Sequence, residues 1–540
     1  MSSTFSGLEI AKRAMAAQQS ALYVTGNNVA NASTPGYTRQ RVNLTPTDEY
    51  PTVARNRPQM AGQIGTGVEA DSIQRVREQF LDVQYRDNNT KLGYWTGRAD
   101  SLSQMEDIMN ETSDSGLSTS LEAFWESLQD LSTNPEDISA RAVVVEKGNT
   151  LTDTFHYLSQ SLTDVKENIG SQIGVSVSDI NSILKSIGDL NKQISAQETN
   201  GYLPNELYDQ RDNLVDQLSS YLNIKVDRQS SGGQSLGIAE GMYNISLVNG
   251  DGQEISLVQG NSYVATVQLE NGTDTDGDGV LESPPATGQV TGITIGNTTL
   301  PITDANGNET FAQGKLLGSI ESYGYQYTDS TGKTVETGVF PDILDQLDQI
   351  AYSFGTVFNA IHRQGIGLNG ETGNDFFTFA GLTDYHGAAN AIEVDPNLTY
   401  SEVAASTNGD AGDGMNAINL SNIEGLDMAS SSISLEGFSN PLNITSLNLP
   451  IKTGTIASNY AGMIGKIGVD AQEANNLQSN SQTLVNSVDS NRQSVSSVSL
   501  DEELTNMIKY QQAYNAAARN ITVVDEMLDK MINSMGTVGR

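Results

Sequence analysis

The sequence predicts an α+β, multidomain chain with N- and C-terminal helices pairing as a coiled coil, a domain of long bundled helices, and inserted β-rich sequence. Three observations carry this reading. Apolar residues recur every seven positions at both ends of the chain. The hydrophobic period changes from helical to two at Ile224 and returns to helical near residue 339. Long helical stretches flank the β-like part, and 540 residues at 37% hydrophobic content suffice for three or four domains.

Residues 4–31 place Leu8, Met15, Leu22 and Val29 at heptad spacing, backed by the small residues Ala11, Ala14 and Ala21. Asn27, Asn28 and Asn31, then Ser33-Thr34-Pro35-Gly36, end that helix, because proline drives the residue before it out of the α region and Gly36 supplies a turn. Residues 37–72 read as extended segments and loops, since Pro46, Pro51 and Pro58 exclude a long helix. Helical periodicity resumes at about Ile73 and runs through Phe80, Val83, Leu92, Leu102, Met105 and Ile108. Further helices are expected over 117–131, stopping at Asn134-Pro135, and over 136–168, 173–198 and 204–222.

From Ile224 the pattern alternates. Ile245 and Leu247, then Asn249-Gly250-Asp251-Gly252, then Ile255 and Leu257, read as a β-hairpin whose turn residues tolerate positive φ. Helix returns over 339–363, residues 366–452 are loop-rich and mixed, and a helical region over 455–533 is broken at 494–499. Its last part carries Leu500, Met507, Tyr514, Ile521, Leu528 and Met535 in one heptad column, with Tyr510, Ala517, Val524 and Met531 in a second. A stripe of this length needs a partner helix, and the N-terminal heptad is the expected one; the plainer alternative is two amphipathic helices in an ordinary core. The expected domains are 1–60 with 500–540 as a terminal coiled-coil assembly domain, 61–225 with 337–365 and 453–499 as a helical bundle, 226–336 as an inserted β-rich domain, and 366–452 as a mixed loop and β region.

The net charge of −37 argues against nucleic acid and against an anionic membrane as partners. The acidity is uneven: residues 1–100 hold eleven Lys/Arg and nine Asp/Glu, residues 500–540 hold four and six, and the whole excess falls between them. There is no cysteine, which removes disulfides, thiolate catalysis and Cys-based metal sites. The first twenty residues lack the apolar core of a Sec-type signal, and no stretch approaches a membrane span.

The motifs that suggest chemistry do not hold up. Gly233-Gln-Ser235-Leu-Gly237 has the letters of a nucleophile elbow, but no buried strand leads into it. Gly65-Thr66-Gly67 follows no core strand and opens no helix, and Gly332-Lys333-Thr334 lacks the first glycine of a phosphate-binding loop. Asp274, Asp276 and Asp278 match the first half of a calcium loop, where alternate carboxylates converge on one hard cation, but Pro285 stands where the bidentate Glu belongs, leaving at most a weak site. His156, His362 and His386 are scattered, and His362 ends an apolar helix where packing or capping is the default. No catalytic residue and no cofactor is expected.

The segment 25–39 (TGNNVANASTPGYTR) resembles the N-terminal signature of rod, hook and hook-associated proteins, the axial proteins of the bacterial flagellum, and Gly65-Thr-Gly-Val68 with Ile73, Arg75 and Phe80-Leu81 is similar to its second block. The blocks 124–137 (FWESLQDLSTNPED), 205–215 (NELYDQRDNLV), 499–504 (SLDEEL) and 510–514 (YQQAY) resemble the hook-associated branch. The resemblance implies a non-enzymatic structural protein, exported unfolded by the flagellar type III route and polymerised as a ring at the hook–filament boundary. The partners it implies are further copies of the chain, the hook protein, a second junction protein and an export chaperone at the C-terminal helix. A different class, a secreted adhesin or binding protein with a helical stalk and β domains, would bind its target as a monomer.

Overall fold

In the computed structural model the described residues are 4–53, 55, 57, 62–109, 116–274, 279–285 and 289–535. The chain runs α1 (Thr4–Ala30), β1 (Gln40–Pro46), β2 (Val68–Arg75), α2 (Gln79–Met109), α3 (Leu117–Thr133), α4 (Ile138–Glu198) and α5 (Asn205–Tyr221). Short strands follow: β3 (Ile224–Gln229), β4 (Met242–Val248), β5 (Glu254–Gln259), β6 (Tyr263–Val264), β7 (Val267–Leu269), β8 (Gly292–Ile295) and β9 (Thr298–Pro301). Then come α6 (Lys315–Tyr323), β10 (Tyr325–Thr328), β11 (Thr334–Thr337), α7 (Val339–His362), β12 (Phe377–Thr378), α8 (Ala388–Ala391), β13 (Glu393–Val394), α9 (Met415–Ser421), β14 (Ser432–Ile433) and β15 (Leu442–Asn443). Two long helices, α10 (Ile456–Ser496) and α11 (Leu500–Met535), end the chain. The α+β fold class stands, with long helices at both ends.

Two segments differ from expectation. Ile73 lies in β2, paired with Val42 of β1, and the helix starts only at Gln79. An apolar residue within reach of a helical stripe looks the same whether it alternates or spirals, and here the partner strand decides. The segments 136–168 and 173–198 are one 61-residue helix, because Gly170 and Gly174 only weaken a helix, and here their missing side chains admit Tyr323 and Ser283.

The chain divides into two compact units, Met1–Thr90 with Ile180–Thr266 and Ser481–Arg540, and Lys91–Asp179 with Val267–Asn480. The β-rich stretch 226–336 is split between them. In the first unit the antiparallel pair β1–β2 packs under α1, and β3-β4-β5-β6 form a second antiparallel sheet. Asn191 of α4 ties that sheet to the helix: its amide donates to the carbonyls of Tyr243 and Gly260 at 2.9 Å and accepts from Tyr243 N at 3.1 Å. The β4–β5 turn forms as expected, although the positive φ falls at Gly252 rather than Gly250.

The second unit is built on an aromatic core. Phe124 and Trp125 of α3 pack against Phe354 and Phe358 of α7 and against Phe376 and Phe377, with ring centroids 4.8–6.0 Å apart. Buried Arg141 donates to the carbonyls of Pro135 and Val403, so the Asn134-Pro135 helix stop is held by a charge-assisted bond. His362 is buried beside the same rings; Ala404 N donates to its Nε2 at 2.9 Å and its Nδ1 donates to the Asn374 carbonyl at 2.9 Å. Burial holds that imidazole neutral, lowering its pKa to about 4.

Candidate assembly interface

Helices α1 and α11 pack along each other in the first unit. A Cβ at Gly7 would lie 3.7 Å from Val524 Cγ2, and Asn28 Nδ2 donates to Glu503 Oε2 at 3.1 Å. These contacts are 21 residues apart on each helix, three heptads, so the pair is antiparallel and its register unbroken. On α11, Met507, Tyr514, Ile521 and Leu528 are half-buried together with Tyr510 and Val524, around buried Ala517. Leu500, at the head of the column, is half exposed, and the side chain of Met535 lies outside the described residues.

On α1 the structure shifts the emphasis. The buried stripe is Ala11, Ala17, Ala21, Val24, Thr25 and Asn28, while Leu8, Met15, Leu22 and Val29 are only half-buried. Small residues in such a stripe let neighbouring elements approach closely, and β1 and β2 as well as α11 pack on α1. Of the small residues read as backing, Ala11 and Ala21 are buried and Ala14 is half-buried.

A polar cluster closes one end of this seam. Asn28 uses its full hydrogen-bonding capacity: Nδ2 donates to Gln40 O at 2.8 Å and to Glu503, and Oδ1 accepts from Tyr37 OH at 2.9 Å and Gln40 N at 3.0 Å. Arg39 donates from Nε to Glu503 Oε1 at 2.8 Å and from its other arm to Glu502 at 2.7 Å, and its backbone N–H donates to Ser496 O at 2.9 Å. The turn between Asn31 and Tyr37 is held at Gly36, whose φ of 78° and proximity to Asn213 exclude a side chain: an added Cβ would lie 2.0 Å from Asn213 Nδ2.

Behind the turn lies a buried ionic network centred on Asp212 of α5. Arg75 donates to Asp209 at 2.6 Å and to Asp212 at 2.9 Å and also pairs with Glu240; Arg77 reaches Asp212 at 3.0 Å and Arg86 reaches Asp216 at 2.7 Å. Arg492 of α10 joins through Asp216 and lies over the Tyr85 ring. Burial would raise the Asp212 carboxyl, but Arg77, Arg75, Arg86 and Arg211 outweigh it and hold the group far below the usual carboxylate range. Asp209 is pushed up by burial, against the pull of Arg75 and Thr38.

The outward faces of the helix pair carry single large apolar side chains among polar and charged ones. Tyr23 is 78% exposed, Ile508 57% and Ile532 72%, with Phe5, Leu504, Val523 and Met527 also largely uncovered. The calcium-like motif offers less. Asp274 is exposed and its Oδ2 accepts the Gly279 N–H at 2.9 Å, while Asp276 and Asp278 lie outside the described residues. Among the described residues no His, Asp or Glu side chains group in threes as metal ligands do.

The chain is 45% identical to flagellar hook-associated protein 1 of Bacillus subtilis (strain 168), covering all of both chains. The chain belongs to the flagellar hook-associated protein 1 family. It is 26% identical to the Salmonella typhimurium member and 27% identical to the Escherichia coli member, covering in each case 96% of this chain and 97% of the relative. The family model for the flagellar hook-associated protein FlgK helical domain matches residues 102–377. Those for the flagella basal body rod protein and the flagellar basal body rod FlgEFG protein C-terminal region match 8–38 and 482–535. In fold, the chain is similar to the flagellar hook junction protein FlgK from Burkholderia pseudomallei, with a TM-score of 0.54 at 16% identity, covering 77% of this chain and 100% of that one. The two rod-type matches cover α1 with its following turn and α11 with the end of α10, the segments that the polar cluster joins. That cluster was not legible beforehand: Asn28, Arg39 and Glu503 stood out only as letters of a signature, and their contact spans 475 positions.

Proposed function

We propose that the protein is a structural subunit of the bacterial flagellum that forms the first junction ring between hook and filament and self-assembles through its paired terminal helices. The supporting observation is the pairing of α1 with α11, the two segments matched by the rod-type family models, whose outward faces also expose the large apolar side chains Phe5, Tyr23, Ile508 and Ile532 among polar ones. The chain works outside the cell as part of the flagellum, reaching it unfolded through the flagellar type III route. Its contacts are further copies of itself, hook protein on one side and a second junction protein on the other, with an export chaperone at the C-terminal helix before secretion. It carries out no catalysis; its functional positions are helix faces. The test is immunoelectron microscopy of intact cells, with a thin labelled band expected at the hook–filament boundary. Label along the filament or over the cell surface would overturn the reading.

A further inference from the structure

The seam between α1 and α11 is built from parts that repeat. On α1 the small residues Gly7, Ala14 and Ala21 recur every seven positions ahead of Asn28, and α11 repeats Met507, Tyr514, Ile521 and Leu528 every seven residues. Sliding α11 by one heptad would bring Gly7 opposite Ala517 or Met531 instead of Val524 and would still set apolar against small residues. Seams of this kind discriminate poorly between registers, and buried polar residues are the usual means of fixing one. The connection limits a slip without setting the contacts: residues 497–499 separate α10 from α11, and three extended residues span about 10 Å, just short of the roughly 10.5 Å rise of a heptad.

We propose that Asn28, Arg39 and Glu503 are the register-determining residues of the terminal helix pair. In the observed alignment the nearly buried Glu503 carboxylate meets Asn28 Nδ2 on one oxygen and Arg39 Nε on the other. Slipped one heptad toward the N-terminus of α1, Glu503 faces Ala21 and its charge is desolvated without a donor. Slipped the other way, it faces Pro35 in the turn, and Asn28, whose four hydrogen bonds are now all made, faces Tyr510. Both slips break the cluster while leaving the apolar seam almost as good, so selectivity resides in three polar residues and not in the heptads. The significance for assembly rests on the proposed junction role: a ring of identical subunits needs every copy to present the same outward face, and a slip moves Ile508 and Val523 along α1.

The absence of cysteine allows a direct test on the purified full chain. Three double variants carry Gly7→Cys with Ala517→Cys, Val524→Cys or Met531→Cys, and disulfide yield is read under mild oxidation. With the cluster intact, the 7–524 pair should close within one chain at least tenfold better than the other two. Added Asn28→Ala and Glu503→Ala should reduce that preference below threefold by raising the slipped pairs, and a preference that stays tenfold overturns the proposal. If the Ala variants close no pair, Glu503→Gln decides, since it keeps an acceptor for Asn28 but loses the charge opposite Arg39: a lowered preference supports the proposal and an unchanged one defeats it. Failure of 7–524 to close with the cluster intact, or its closure only between chains, would remove the intrachain pair and the proposal with it. None of these readouts involves the flagellum, so they fail independently of the immunolabelling result.

Discussion

Asp212 is surrounded by four guanidinium groups and is almost entirely shielded from water. Replacing it with Asn leaves Arg75, Arg77, Arg86 and Arg211 facing one another with too few negative partners, which should destabilise the first unit by about 3–5 kcal/mol. Asp251→Asn, in the exposed β4–β5 turn, should change stability by less than about 0.5 kcal/mol; comparing the two variants by urea unfolding monitored in segments by hydrogen exchange checks the difference. Two other buried groups set opposite pH dependences in the second unit. Glu321 is pushed up to about 7 by burial and by Glu309, against the pull of Tyr94 and Arg98. Its folded form holds a proton that the unfolded chain gives up at about 4.5, so its contribution is present below that pH and is lost as pH rises through 7. His362, lowered to about 4, runs the other way: its contribution is complete above 6.5 and is lost as pH falls toward 4. Each is worth about 3 kcal/mol. The stability of Glu321→Gln relative to the native chain should therefore increase between pH 4.5 and 7, and that of His362→Gln should increase as pH falls from 6.5 to 4. Thermal scans across this range in which either difference stays flat would show that the group titrates normally. Of these groups only His362, read as a packing residue at the end of an apolar helix, was legible in the sequence: a charged residue on a helix reads as solvated, and Arg75 and Asp212 are 137 positions apart.

At the scale of elements, what is local was readable. The α11 columns, the α7 stripe and the β4–β5 turn follow from spacings of two, three or four residues, which the backbone enforces without help from distant parts. What depends on a partner was not: Ile73 became a strand residue through Val42, and the buried stripe of α1 runs through Ala11, Ala17 and Ala21 where α11, β1 and β2 pack on it, leaving the leucines half-buried. Ile521→Asp tests the pair as an element. A carboxylate there would be partly desolvated in place of an apolar side chain, so the variant should lose about 1–3 kcal/mol of helix pairing while the aromatic core of the second unit melts as before. Cells carrying it are expected to bear hooks without filaments and to release filament subunits into the medium; Asp525→Ala, at an exposed position, should be tolerated. Motile cells with Ile521→Asp would exclude α11 as an assembly surface.

At the scale of the whole molecule the charge divides as the compact units do. The second unit holds 10 Lys/Arg and 41 Asp/Glu, so it carries −31 of the net −37, and the first unit is close to neutral at −6. Copies held side by side therefore repel mainly through the second unit. Raising ionic strength from 0.01 to 0.15 M shortens the screening length from about 30 to about 8 Å, and sedimentation of the purified chain should show stronger self-association at the higher salt. A chelator should leave assembly unchanged, since exposed Asp274 already accepts a backbone N–H and Pro285 replaces the bidentate ligand; loss of junctions in chelator, restored by calcium, would contradict this. The bond between Asn28 and Glu503 also acts as a clock. It joins segments 475 positions apart, so in a chain that emerged end first the second unit, which lies between them, could fold while α1 waited for α11. In the proposed ring, a copy that ended before Glu503 would leave α1 without its mate, and incomplete subunits would be kept out.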